Sequence, residues 1–362
     1  MRSWQIATIA LCLAEGVAGV LLSVELNAPP GATIAVLAGV VFAIGGLAAH
    51  ARRTGGGRAL ARWATVGLVA ALLAGCGSDE ENDAASVVAT TPVAGDLAGE
   101  VAGDAIEVRT LLAAGTDPHD YEPRPDDIEA LAEADLIVAN GGDLDAWIDD
   151  ALEDSGGEGD VLVLGDEIEY RREVDGEFDP HWWHDPRNVE SVAPVIADAL
   201  VDLDPEAAGE IRRGEKRLSL LARSTDTAVE GCLSAVPDAD RKLVTDHDAF
   251  GYFADRYGFE VVGTVIPALT TAAQASAGEL AELRETIERE GVKAVFPESS
   301  VTTDVAQAIA DEAGATVGDD LFGDSLGDEG SSGGSWQAAE SANANAIVSG
   351  LSGPSKICEG LP

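Results

Sequence analysis

Pro125-Asp126-Asp127-Ile128-Glu129-Ala130-Leu131, followed by Leu136-Ile137-Val138-Ala139-Asn140, sets the class of this chain. The first stretch puts proline and acids where a helix begins, and acids there complement the positive end of the helix dipole. The second is a short apolar run that reads as a strand of a buried parallel sheet. Val161-Leu162-Val163-Leu164 repeats the signal. The alternation resumes later with strand Lys242-Leu243-Val244-Thr245, a helix over 250–257, and strand Glu260-Val261-Val262-Gly263-Thr264-Val265. A helix over 279–290 follows, with Leu280, Leu283 and Ile287 on one face, then strand Ala294-Val295-Phe296, a helix over 304–312 and strand Ala315-Thr316-Val317. Between the two series, residues 205–232 predict one long helix striped by Ile211, Leu218 and Val229, although Gly209 and Gly214 weaken it. The fold class is therefore α/β: an N-terminal half over 87–204, a linking helix over 205–237 and a C-terminal half over 238–362. Residues 326–335 are rich in Gly and Ser and read as loop.

The chain has 362 residues, 46% of them hydrophobic, which is enough for a sizeable core, and a formal charge of −43. Residues 1–76 hold five arginines (Arg2, Arg52, Arg53, Arg58 and Arg62) against Glu15 and Glu25, so the acid lies downstream. Such a surface excludes nucleic acid and anionic lipid as partners. The acid is spread over the whole downstream region, which favours adaptation to a saline medium over electrostatic capture of a cation. Salt would also screen any steering.

Residues 4–23 and 31–49 are two apolar stretches of transmembrane length, so a hairpin over 1–58 is expected to span a membrane. Ala64–Ala74 follows an Arg-rich segment and leads into Cys76, the form of a lipoprotein signal over 59–76. Cleavage before Cys76 and lipidation of its sulfur would anchor the exported remainder to the outer face of the cytoplasmic membrane, with residues 77–86 as a tether. Ala14-Glu15-Gly16-Val17-Ala18-Gly19-Val20-Leu21-Leu22-Ser23 and Pro29-Pro30-Gly31-Ala32-Thr33-Ile34-Ala35-Val36-Leu37-Ala38-Gly39 resemble the C-terminal end of ABC-3-type metal permeases. The resemblance implies a fusion to, or capture of, an upstream permease gene. There is no Cys-x-x-Cys, so a thiolate zinc site is not expected. In an exported body Cys232 and Cys358 are expected to form a disulfide, two buried free thiols being the alternative.

Histidine is scarce, and four of the five fall in three motifs. These are Asp117-Pro118-His119-Asp120-Tyr121-Glu122-Pro123, Asp179-Pro180-His181-Trp182-Trp183-His184-Asp185-Pro186 and Thr245-Asp246-His247-Asp248-Ala249-Phe250-Gly251-Tyr252-Phe253. Neutral imidazole suits borderline ions such as zinc, and rare histidines set dozens of residues apart among Pro and Asp read as ligands gathered by folding. Ligands of open α/β sheets bind beyond the carboxyl ends of strands, which places His119 and His181 on one rim and His247 on the other. Asp324, in Leu321-Phe322-Gly323-Asp324-Ser325-Leu326-Gly327, follows the last strand and is the fourth candidate. Three imidazoles and a carboxylate suit tetrahedral zinc, with manganese as the alternative.

These motifs resemble the substrate-binding proteins of zinc/manganese ABC importers, the cluster A-I or periplasmic solute-binding family 9 group. The resemblance covers residues 87–350 and implies two α/β lobes joined by a rigid helix, with the metal between them. It implies His119, His181, His247 and Asp324 as ligands, Zn2+ or Mn2+ as the transported ion, and a metal ABC permease with its ATPase as partners of a monomeric receptor. His184 stands where the family has an apolar residue and is a candidate neighbour or alternative ligand. The acidic run Asp166–Asp179 occupies the place of a His-rich loop found in many zinc-specific members, and a histidine at 247 in place of Glu favours zinc. Glu298, in Phe296-Pro297-Glu298-Ser299-Ser300, follows a strand and is a candidate to hold a ligand imidazole, or else an ordinary acid at a helix start. Trp182, Trp183 and Phe250 read as packing between the halves.

No His-Glu-x-x-His occurs, and a zinc hydrolase would need an open coordination position with a base beside it. The chain is therefore expected not to be an enzyme. A scavenging or adhesion lipoprotein without a transport partner is the other reading.

Overall fold

The computed structural model describes residues 3–53, 85–174, 176–301, 304–353, 355, 356, 358 and 361, with only the backbone of 3–7, 9, 10 and 46–53. The lipoprotein signal over 59–76, its Cys76 and all but the end of the tether lie outside the described residues.

Two units are distinguished: residues 1–84 with 122–129, and residues 85–121 with 130–362. In the first, α1 (Ser3–Leu26) and α2 (Pro30–Arg53) form a hairpin turned at Asn27, which adopts a positive φ of 44°. The helices approach closely at Gly19, where a Cβ would lie 2.9 Å from Ile34 Cα. Among the described residues no helix is long and apolar enough to cross a membrane, so the structure does not show the expected spans.

The second unit begins with β1 (Val87–Ala89), α3 (Pro92–Ala102) and β2 (Val108–Thr110); α4 (Pro125–Glu133) is divided between the units after Glu129, and β3 (Leu136–Ala139), α5 (Trp147–Ser155) and β4 (Asp160–Val163) follow in the second. The strands pair in parallel in the order β2-β1-β3-β4. β1 and β3 are buried throughout, as two-sided cover demands. β4 is corrected to an edge strand, and Val161 is exposed there because nothing among the described residues pairs beyond it. The acidic run then folds into a small antiparallel ribbon, β5 (Glu173–Val174) and β6 (Glu177–Phe178).

α6 (Pro186–Leu203) starts with Asp185 accepting from the Arg187 N–H and with proline in its first turn. α7 (Ala208–Leu233) is the long linking helix and buries Ile211, Gly214, Leu218, Ala222, Thr225, Val229 and Leu233 along one stripe. Gly214 is no weakness there. A Cβ would run into the Val101 carbonyl oxygen, so glycine lets α3 and α7 touch.

The C-terminal half contains β7 (Lys242–Thr245), α8 (Gly251–Tyr257), β8 (Glu260–Thr264), α9 (Ala277–Glu290), β9 (Ala294–Val295), α10 (Asp304–Ala313), β10 (Thr316–Val317) and α11 (Trp336–Ser352). β8 pairs with β7 and β9 with β10, all in parallel, and a parallel bridge from Thr245 to Phe296 joins the two pairs. α9 carries a full capping box, Ser276 accepting the Glu279 N–H while Glu279 accepts the Ser276 N–H. One apolar core fills the N-terminal half and takes in Trp336 and Ala339 of α11; others fill the C-terminal half.

Cys232, at the end of α7, is disulfide-bonded to Cys358 with Cα atoms 5.2 Å apart, and the bridge closes a separation of 126 residues. Reducing it, or replacing both cysteines by serine, is expected to lower stability by about 2–4 kcal/mol, read as a lower denaturant midpoint.

Candidate metal centre

Every candidate ligand stands beyond the carboxyl end of a strand. His119 sits in a short 3-10 turn over Pro118–Asp120, where Asp117 accepts the His119 N–H at 3.0 Å. Proline at 118 sets the turn before the histidine, and proline at 180 does the same for His181. His247 follows β7 by two residues. Asp324 follows Leu321, which bridges to Glu298 beyond β9.

These four side chains converge, with one ligand atom of each within 4.8 Å of the others. Asp324 Oδ1 lies 3.1 Å from His181 Nε2, and its Oδ2 lies 3.2 Å from His247 Nε2 and 3.6 Å from His119 Nε2. The Nε2 atoms of His181 and His247 are 3.2 Å apart. Donors about 2.0–2.1 Å from a tetrahedral zinc ion stand about 3.3 Å from one another, so the observed separations match the edges of such a polyhedron. The donors are also chemically unfinished. Both ring nitrogens of His119 are buried without a hydrogen-bond partner among the described residues, and the Asp324 oxygens face the imidazole Nε2 atoms. Leaving such groups unpaired costs several kcal/mol in all, and a cation at the centre would remove that cost.

Two ligands are held from behind. His181 Nδ1 meets Asp179 Oδ1 at 2.8 Å and His247 Nδ1 meets Glu298 Oε1 at 2.9 Å, which leaves Nε2 of each ring for the ion. Glu298 also accepts the His247 backbone N–H at 3.1 Å, and its own N–H donates to Asp246 at 2.9 Å. Glu298→Gln is expected to weaken zinc binding roughly 10- to 100-fold by removing the anionic acceptor while keeping the shape, as competition against a chelator would measure. Over the opposite side, Thr271 Oγ1 donates to Asp117 Oδ2 at 2.7 Å and joins the two halves.

The electrostatics follow from this crowding. Burial pulls the His181 pKa down, but Asp179 and Asp324 outweigh it and raise it to about 9. Burial likewise opposes the charge on His247, yet Asp324 and Glu298 lift it well above the usual imidazole range. His119 lacks such a hold: burial lowers it to about 4, with only Asp324 pulling the other way. For Asp324 burial raises the pKa, while His247 and His181 hold it well below the ordinary carboxylate value.

His184 is not part of the cluster. Its Nδ1 pairs with Glu340 Oε1 of α11 at 2.7 Å and its ring stacks on Phe250, with centroids 4.6 Å apart. Its place as a candidate neighbour of the metal is corrected accordingly: the turn over Trp182–His184 aims it at α11. Trp182 and Trp183 are buried in the N-terminal core, and Trp183 accepts the Trp336 indole N–H at 3.0 Å. Sequence reasoning passed over Asp179, whose position two residues before His181 was the available signal. Asp117, two residues before His119, carried the same signal and was passed over too, as were Thr271 and Arg172, for which the sequence carries none.

The chain matches the model of the periplasmic zinc-uptake complex component A family, ZnuA, over residues 87–350. It is 28% identical to the manganese-binding lipoprotein MntA of Halalkalibacterium halodurans over 79% of this chain and 96% of that protein. It is 31% identical to the zinc-binding protein TroA of Treponema pallidum over 73% of this chain and 88% of that protein. The solved structure of the Treponema pallidum TroA superposes with a TM-score of 0.69, covering 73% of this chain and 98% of that one. With the same α/β architecture and a match through all four converging side chains, the chain belongs to the ZnuA family of metal-binding proteins.

Proposed function

We propose that the protein is an extracytoplasmic receptor that captures Zn2+, with Mn2+ as the alternative cargo, and hands it to a metal ABC permease and its ATPase. The observation that carries this reading is the convergence of three imidazoles and one carboxylate, drawn from both halves, in a buried cluster. Imidazole-rich sets suit zinc better than manganese, which favours oxygen donors. The relatives named for zinc and for manganese support metal binding and leave room for both ions.

The halves 87–204 and 238–362 act as two lobes about the linking helix over 205–237, and the body works as a monomer. Lipidation at Cys76 fits the relative named a lipoprotein, and would hold it at the outer face of the cytoplasmic membrane. Residues 1–58 are read as a permease-derived piece joined ahead of the signal.

The protein is a carrier and not an enzyme. Four protein donors leave no open position for a reactive water on a tetrahedral ion. Gly330-Ser331-Ser332-Gly333-Gly334 has the spacing of a nucleophile elbow, but its Ser332 lies exposed in a turn with no strand leading into it. The deciding experiment is metal analysis of the purified protein with competition between Zn2+ and Mn2+. One tightly held ion per chain is expected, with zinc preferred, and absence of stoichiometric metal would end the proposal.

A further inference from the structure

Arg172 contributes no ligand atom, yet it is built into the wall behind the site. It lies in the acidic run before His181, just ahead of the β5–β6 ribbon. Its Nη1 donates to Asp179 Oδ2 at 2.7 Å, while the other oxygen of the same carboxylate holds His181 Nδ1 at 2.8 Å. The Asp179 side chain is fully buried, so this shared carboxylate is shielded from water.

Through its carbonyl Arg172 also accepts the Asp179 N–H at 3.1 Å, and its further contacts run to the C-terminal half. Its backbone N–H donates to the Tyr252 hydroxyl at 2.8 Å, and its Nε lies 3.3 Å from Asp255 Oδ2. The guanidinium rests directly on Gly251, where any Cβ would take its place. Gly251, Tyr252 and Asp255 all belong to α8, the helix that begins shortly after His247. Beside this contact lies a cleft of about 500 Å3, lined by Arg172, Glu177, Asp248 and Thr264 among others.

We infer that Arg172 is a positioning residue for metal capture, locking the Asp179 carboxylate behind His181 while the segment before His181 is seated on α8 of the other half. The inference rests on the reading of the protein as a metal receptor. A carboxylate held through one oxygen can turn about its Cβ–Cγ bond, and the imidazole it orients turns with it. A guanidinium on the second oxygen removes that freedom. Because the same residue is seated on α8, drawing the halves apart takes the brace from His181 in the step that frees the ion. The pair with Asp255 adds little, since that carboxylate is 72% exposed and water screens it. The Tyr252 hydrogen bond and the Gly251 contact form the seat.

The test is the rate of Zn2+ release from the full chain to a chromophoric chelator, with the visible spectrum of the Co2+-loaded protein as a second readout. Arg172→Ala is expected to release zinc roughly 10- to 100-fold faster and to alter the cobalt spectrum, because His181 is no longer fixed. Arg172→Lys keeps one donor on Asp179 and is expected to restore most of the wild-type rate and spectrum. Tyr252→Phe, which loosens the seat but leaves the guanidinium, is expected to fall between. Release at the wild-type rate from Arg172→Ala or Tyr252→Phe, or equal acceleration in the Ala and Lys variants, would overturn the inference. Wild-type protein that takes up no zinc would overturn the receptor reading, and this inference with it.

Discussion

His247→Ala is expected to lower zinc affinity roughly a hundred- to a thousandfold. A closed four-ligand zinc site supplies on the order of 10–16 kcal/mol, so one strong donor accounts for about 3–4 kcal/mol of it, each 1.4 kcal/mol being tenfold. His247 is the ligand to choose because its Nε2 stands 3.2 Å from both His181 Nε2 and Asp324 Oδ2. The substitution also leaves Glu298 buried with its ring partner gone, which the Glu298→Gln comparison separates from loss of the ligand itself. Titration calorimetry showing an unchanged dissociation constant would remove His247 from the site.

Zinc binding is expected to release about two protons per ion near pH 7, because the ion displaces those held by His181 and His247. With His181 raised to about 9 and His247 raised well above its ordinary range, both imidazoles are expected to carry protons in the ion-free protein at neutral pH. Apparent affinity should therefore climb as pH rises from 6 towards 9. The ion-free protein should show the opposite trend in stability above neutrality. A histidine whose folded pKa exceeds its unfolded value stabilises fully below the unfolded value, near 6.5, and that contribution is lost as pH rises through about 9. His119, lowered to about 4, acts on the other flank, where stability falls as pH drops below 6.5 towards 4. Calorimetry in buffers of different ionisation enthalpy measures the proton count, and melting of the chelated protein across pH 4–10 measures the second trend. A proton count near zero would mean that the imidazoles are not the groups the ion meets.

The sequence was most legible where chemistry and periodicity coincide. Leu136–Ala139 is a strand buried on both faces, and its composition admits little else. His119, His181 and His247 stood out because histidine is scarce and each is flanked by Asp. Asp324 was far less visible among 65 acids, and only its place after a strand singled it out. What escaped depends on partners distant in the chain. α6 carries a capping Asp185 and a Pro186 start, but those residues also complete the His181 motif, which masked the helix signal. α11 is rich in Ala, Ser and Asn, so its buried faces show no apolar stripe until α3 and α7 are packed against it. The Arg172–Asp179–His181 chain spans only a few residues, yet its seat on α8 is invisible before folding. For His184, proximity in sequence to a ligand misled, because a single 3-10 turn redirects the ring.

α7 deserves a last mechanical consequence. It packs along its length on α3, α6 and α11, so it is clamped on several sides and lacks the few free backbone dihedrals through which a hinge bends. A spine of this kind forbids a wide swing of the kind seen where two domains are strung on loose strands. Unloading is then expected to proceed by small slippage of the segments that carry the donors.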